Sequence, residues 1–292
     1  YEIGSGLVGS EMCIRDRSWR DRIEDFNYGV RFTLADGQRK VLKYPNESGD
    51  IYSWYNNKLD GTIWGYTTVG IAQTQEEMNA HLANNKPNWG SNWGAGDIMY
   101  ADLNGDGEVT SGSKTLNDHG DLKIIGNSYA RYNFGFTVDG SWRGLDFSIF
   151  LQGTMKRDYW LDGPYFWGAS GDEWQSACFT EHLDYWTPEH TNAYYPKPYF
   201  GNIKKNQEVQ SGYLQNAAYL RVKNVQVGYT LPKSWTKKAA MESVRFYVSG
   251  DNLLTWTGIS SIFDPETLGG DWGPGKLYPL QRTLSVGVNV NF

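Results

Sequence analysis

Asp102, Asn104 and Asp106 stand two residues apart in the stretch Asp102-Leu-Asn-Gly-Asp-Gly-Glu108, followed by Thr110. Side-chain oxygens at the first, third and fifth positions, with glycine at the sixth, are the arrangement of a calcium loop, because glycine permits the sharp turn that gathers the oxygens. Glu108 would add its backbone carbonyl. At the twelfth position Ser113 replaces the bidentate acid, so Asp118 or Asp121 is the candidate to complete the shell. Calcium is one expectation. A metal-free cluster of turns is the other, since Asp, Asn and Gly make turns unaided.

The second group of chemistry-bearing residues is aromatic. Trp160, Tyr165, Phe166, Trp167 and Trp174 crowd one segment, Trp89 and Trp93 another, and Trp256 and Trp272 a third. Flat rings beside polar groups suit sugar faces or peptide side chains, and Trp160, Tyr165, Trp167 and Trp174 are taken as candidate substrate contacts. The competing reading is that these rings pack the long segments into ordered structure. Catalysis has little support. Gly270-Asp-Trp-Gly-Pro-Gly-Lys276 lacks the Ser or Thr of a phosphate loop. His81, His119, His182 and His190 show no metal spacing, and there is no nucleophile elbow. The acid pairs Asp172-Glu173 and Asp264/Glu266 read as solvated loop acids, and an enzyme is not expected.

The elements that must position these residues are strands. Phe26, Tyr28, Val30, Phe32 and Leu34 alternate with Asn27, Gly29, Arg31 and Thr33, and Asp36-Gly37 then predicts a hairpin with a return strand over about 38–44. Tyr132 to Trp142 and Leu145 to Leu151 alternate about a tight turn at Arg143-Gly144. Tyr219 to Leu231 alternates with a phase slip near Lys223-Asn224 that predicts a bulge. Val244, Phe246 and Val248 alternate, and so does a last strand from about Leu280 to Phe292.

Short and long connections alternate along these seven strands, the long ones falling at about 45–130, 154–218 and 255–277. That asymmetry belongs to outer-membrane barrels, with short periplasmic turns and long outside loops; loops of this length are abnormal in a soluble sandwich. The expected fold is all-β: about seven antiparallel strands of a large transmembrane β-barrel. Composition agrees. The net charge of −6 argues against a nucleic-acid partner. There is no run of apolar residues long enough for a membrane helix, which barrel strands do not need. Cys13 and Cys178 are the two cysteines, too few for a disulfide framework or zinc cluster.

Residues 7–17, Leu-Val-Gly-Ser-Glu-Met-Cys-Ile-Arg-Asp-Arg, look like a translated transposon adapter from a sequencing library. Residues 1–17 are therefore set apart as non-native, and 18–292 are read as the protein. On that reading the gene continues upstream, and the missing signal peptide carries no information.

Four segments resemble SusC/RagA-type TonB-dependent outer-membrane transporters: Gly96-Asp-Ile-Met-Tyr-Ala-Asp-Leu-Asn-Gly-Asp-Gly107, Ile124-Ile-Gly-Asn127, Tyr219-Leu-Arg-Val-Lys-Asn-Val-Gln-Val-Gly-Tyr-Thr-Leu-Pro232 and Val248-Ser-Gly-Asp-Asn-Leu-Leu-Thr-Trp256. The likeness runs from about Trp19 to Phe292. It implies the C-terminal part of a plugged barrel of about 22 strands. It further implies residence in the outer membrane against lipid, a SusD-like lipoprotein as lid, the TonB complex as energy source through a part missing here, and a glycan or peptide as cargo. Likeness to outer-membrane barrels also makes Phe292 the expected assembly signal. The alternatives are a surface glycan-binding β-protein without transport and, behind it, a secreted glycoside hydrolase.

Overall fold

In the computed structural model, residues 7–168, 178–199, 205–269, 273 and 275–292 are described. The chain opens with β1 (Leu7–Ile23) and β2 (Phe26–Lys43), joined at Glu24-Asp25. The first long connection holds β3 (Thr62–Gly65), β4 (Thr68–Ile71), helix α1 (Gln75–Leu82), β5 (Lys86–Pro87), β6 (Ile98–Tyr100), β7 (Glu108–Val109) and β8 (Lys123–Asn127). Then come β9 (Arg131–Trp142), β10 (Leu145–Lys156), the short β11 (Asp158–Tyr159), β12 (Gln215–Thr230), β13 (Ser243–Gly258) and β14 (Thr283–Asn291).

One antiparallel sheet runs in the order β1-β2-β9-β10-β12-β13-β14, with β11 paired to β12. Its strands are sequential neighbours, as in an up-and-down barrel wall. The seven-strand count agrees with the sequence reading, but its first members differ. Asp36-Gly37 is not a hairpin: both residues lie within β2, opposite Cys13 and Met12. The Asp36 carboxylate is instead held by the Arg131 guanidinium of β9, with Nη2–Oδ2 at 2.6 Å, so the dipeptide's turn chemistry is overridden by a cross-strand ion pair. The turn lies earlier, at Glu24 with φ 52°. At Arg143-Gly144 both residues have positive φ, 48° and 92°, the geometry whose twist matches a two-residue hairpin. The anticipated bulge is present: the register of β12 shifts against both neighbours around Lys223.

The two sheet faces separate by parity. Outward stand Phe246 and Val248 of β13, Val227 of β12, Leu145 of β10 and Leu284, Val286 and Val288 of β14, all exposed; Val286 reaches 81%. The opposite face is polar and cross-linked. Arg245 Nε donates to Asp146 Oδ2 at 2.9 Å across the intervening β12, Asn224 Nδ2 to Asp251 Oδ1 at 2.8 Å, and Thr154 Oγ1 to Asn133 Oδ1 at 2.7 Å. Gly228 makes the first of these possible, since a Cβ there would lie 2.5 Å from the Arg245 guanidinium. Exposed apolar rows on one face and paired polar rows on the other are the pattern of a barrel wall between lipid and lumen. Among the described residues no helix is long and apolar enough to cross a membrane.

Little of the buried core is in this wall, which contributes Val41, Ala217, Val222 and Val244. The rest lies in the long connections, 44–130, 157–214 and 259–282, which are bounded by strands longer than the sequence pattern predicts. Ile51, Tyr100, Val109, Leu161, Phe166, Trp167, Tyr195, Tyr213, Phe263 and Leu268 form one cluster to which all three contribute. Two short pairs, β3–β8 and β4–β6, are antiparallel, and β5–β7 is parallel.

Candidate functional site

The loop at Asp102 forms where the sequence places it, and its oxygens are spent on the backbone. Asp102 Oδ1 accepts from the N–H groups of Asn104 and Gly105 at 3.0 and 2.6 Å, and Oδ2 from Gly107 at 2.8 Å. Asn104 Oδ1 accepts from Asp106 N, and Asp106 Oδ1 from Glu108 N. Hydrogen bonds from Gly107 and Gly105 hold the Asp102 carboxyl below the usual carboxylate range. The two candidates for the missing ligand go elsewhere. Asp118 binds Ser113 N at 2.9 Å, while Asp121, fully buried, accepts from Leu103, Asn104 and Thr110 N–H groups. The donor set is all oxygen, as calcium prefers. In this structure the Asp102, Asn104 and Asp106 oxygens also close turns, and Asn104 Nδ2 donates to Asp106 Oδ2 at 2.9 Å. Asx turns shape the loop, and the same oxygens are the ones a calcium ion would use.

The aromatic candidates divide. Trp167 is 5% exposed and packed against Tyr213 with ring centroids 4.9 Å apart, so it is a core residue and not a surface for substrate. Phe166 beneath it is fully buried. Trp160 and Tyr165 are half-buried against the same cluster, and Trp160 meets Trp167 at 6.1 Å. Trp89 and Trp93 also join it, edge-on to each other. Trp174 and Trp272 lie outside the described residues. Phe292 is exposed at the end of the sheet. Burial pushes the Tyr100 and Tyr213 hydroxyls far above the ordinary phenol range, as befits groups inside a packed layer.

What sequence reading missed is a cavity of about 460 Å³ where the first and second long connections meet. Its walls include Gln75, Asn92, Tyr185, Pro188, Lys197 and Tyr199. Behind its lining residues Asn92 and Gly94 is a buried ion pair: Lys205 Nζ lies 2.7 Å from Asp97 Oδ2, with the two side chains 1% and 0% exposed. The ammonium also donates to Asn92 O at 2.6 Å and sits 4.2 Å from the Tyr199 ring centroid. Asp97 in turn accepts from Gly94 N and Asn206 Nδ2. Buried charges persist only when paired and hydrogen-bonded in this way, and removing one partner is costly. The ion pair therefore ties the two connections together. Gly96, at φ +88°, passes beneath the Trp186 indole, where a Cβ would come within 2.5 Å of the ring. The available signal was Pro-Lys-Pro-Tyr199, whose prolines stiffen the cavity rim.

A second cavity, of about 380 Å³, is lined by Glu181, Asp184, Tyr194 and Gln215, and its two acids are engaged by Ser261 and His190.

The fold and its apolar outer face define a class: a wall segment of an outer-membrane β-barrel carrying a folded layer of long loops. No family model matches the sequence. Among curated proteins the chain is similar to TonB-dependent receptor P3 of Formosa agariphila, 26% identical over 97% of this chain and 28% of the receptor. It is likewise similar to TonB-dependent receptor SusC of Bacteroides thetaiotaomicron, 22% identical over 92% of this chain and 25% of that protein. Among solved structures the RagAB peptide transporter superposes with a TM-score of 0.70 at 19% identity, over 99% of this chain and 30% of that one. These comparisons bear out the resemblance read from the sequence: the chain is similar to part of the SusC/RagA-type TonB-dependent receptors, and its place is the outer membrane. The relatives are receptors and transporters, not enzymes. The chain spans between a quarter and a third of the length of the relatives named here.

Proposed function

We propose that this chain is part of the wall and outer surface of a TonB-dependent importer of oligosaccharides or oligopeptides, acting as the SusC-like partner of a SusD-like lipoprotein. The observation that carries the reading is the division of connections. All three long ones contribute to one layer with a common aromatic core, while the turns at 24–25, 143–144 and 231–242 stay short. A wall whose long loops build a rigid surface on one side is suited to holding cargo and seating a lid there. Cargo would be gripped by rings and polar groups of this layer, with no covalent step, and energy would come from TonB through a part of the receptor outside this chain.

The test uses the full-length receptor in its host. Deleting the receptor gene, or separately its TonB-contacting segment, is expected to abolish growth on the cargo oligomer. The second deletion should leave surface binding intact. Loss of neither growth nor uptake sinks the import reading. Binding that persists without any TonB-dependent uptake would favour a surface glycan-binding protein instead. The lipoprotein partner is tested by co-purification in detergent; a receptor that purifies alone from cells expressing its neighbouring lipoprotein gene counts against the pairing.

A further inference from the structure

The cavity lined by Tyr185, Lys197 and Tyr199 has a chemistry more specific than its size. Lys197 is exposed on its wall, with its ammonium 5.4 Å from the Tyr199 ring centroid, and among the described residues no carboxylate pairs with it. The nearby acid, Asp97, is already neutralised by Lys205. The cavity therefore presents one uncompensated positive charge and no negative one among its lining groups.

Several backbone donors at the cavity are committed internally. Gly94 N donates to Asp97 Oδ2, Gly96 N to Ala72 O, Lys197 N to Gly96 O, Trp186 N to Tyr195 O and Thr187 N to His190 O. An extended peptide is recognised largely through main-chain hydrogen bonds, and the N–H groups of the lining residues Gly94, Trp186, Thr187 and Lys197 are not available for them. What remains is side-chain chemistry: the Gln75 amide oxygen, its nitrogen being held by Asn79 and Trp93, the Asn92 amide, a hydroxyl from Thr187, and the ring faces of Tyr185, 37% exposed, and Tyr199. Ring faces beside amides and hydroxyls fit a pyranose, which offers a flat C–H face and a rim of hydroxyls. At about 460 Å³ the cavity lies within the usual range for small-ligand sites.

We infer that this cavity is a subsite for an acidic sugar of an oligosaccharide, with the pyranose against Tyr185 and Tyr199 and its carboxylate on Lys197. The inference rests on the import reading and narrows its cargo. The carboxylate–ammonium contact is charge-assisted and exposed to solvent, so it discriminates acidic from neutral sugars most at low salt.

The experiment is calorimetry on the full-length receptor in detergent, with a panel of oligouronates, their carboxyl-reduced neutral counterparts, and acidic peptides of equal charge. An oligouronate is expected to bind about tenfold more tightly than its neutral counterpart, the ratio for one charge-assisted hydrogen bond. Lys197→Gln should remove that preference without shifting Tm, since the side chain is exposed; Lys197→Arg should keep it. Tyr185→Ala should weaken acidic and neutral oligomers alike. Equal binding of the two forms, an unchanged preference in K197Q, or no binding by any oligouronate overturns the inference, as does an acidic peptide that binds equally with the same dependence on Lys197. TonB-dependent uptake measured in parallel separates the two levels. Uptake of some other cargo, with no role for Lys197, leaves the import reading standing and removes only the subsite.

Discussion

β14 and β1 are the two edges of one sheet, yet they obey the membrane differently. In β14 every outward position from Leu284 to Val290 is apolar, and the inward positions are Ser285, Gly287, Asn289 and Asn291. In β1 the register sets Ile23 beside Phe26 and Trp19 beside Val30 on the outer face, but Arg17 beside Phe32 and Arg15 beside Leu34. Beyond Arg17 the phase is inverted, since Ile14 and Met12 fall on the lumen side. Every residue from Met12 to Asp25 is exposed, and the side-chain tie to the neighbouring hairpin is at the turn, where Arg143 Nε donates to Asp25 Oδ2 at 2.9 Å. The inversion falls at the junction where the adapter-like peptide ends. A strand whose side chains belong to the wall reads the environment on both faces; one that merely satisfies hydrogen bonds does not.

The contrast can be broken or sharpened experimentally, in order of expected effect. Phe166→Ala in the full-length receptor should cost the loop layer about 3–5 kcal/mol, as aromatic truncation in a packed core does. Local hydrogen exchange in 44–130 and 157–214 should rise while the wall stays protected; loss of the wall as well would show that the two are not separable. Val288→Arg on β14 should cost about 2–4 kcal/mol and lower outer-membrane levels, whereas Ser285→Lys on the lumen face should be nearly silent. Gly287→Val, whose Cβ would sit 2.3 Å from the Tyr247 ring, should cost about 1–3 kcal/mol by overpacking.

Two smaller tests follow. Asp102→Ala with Asp106→Ala removes acceptors from the turn network. If the loop is held by turns, its protection falls equally in calcium and in chelator; a calcium-dependent rise in Tm lost in the double variant would assign a metal. Because the Asp102 carboxyl titrates below its ordinary value, its contribution is complete above that value and is lost as pH falls through the lowered one. Reading the source DNA across the codons for Arg17 and Ser18 is expected to reveal a different upstream sequence with apolar residues facing Phe32 and Leu34. Removing Phe292 should reduce insertion if assembly reads the final strand.

Much of the wall was legible because alternation is a local code. The bulge at Lys223 showed itself as a phase slip, and Arg143-Gly144 as a turn between alternating runs. Asp36-Gly37 misled for the same reason: its turn propensity is local, while the partner that captures Asp36 is Arg131, far along the chain. The turn at Glu24-Asp25 was hidden because only Ser18 to Ile23 of the strand before it were read as protein, and Asp21 breaks their apolar alternation. The aromatic candidates were legible as a group but not individually. Nothing in the spacing of Trp160, Tyr165 and Trp167 says which ring is buried, whereas Tyr185 and Tyr199 carry no stronger local mark than their neighbours.

Parity is what the sequence determined by itself. In a strand, odd and even positions point to opposite faces, so composition at alternate positions fixes which face meets lipid before any partner strand is known. The loop layer was decided only by tertiary structure. Lys205 meets Asp97, Asn206 meets Asp97 and Trp186 meets Gln73 across separations of about a hundred residues. Those meetings, and the cavity they frame, depend on how the connections fold over one another, which no local period encodes.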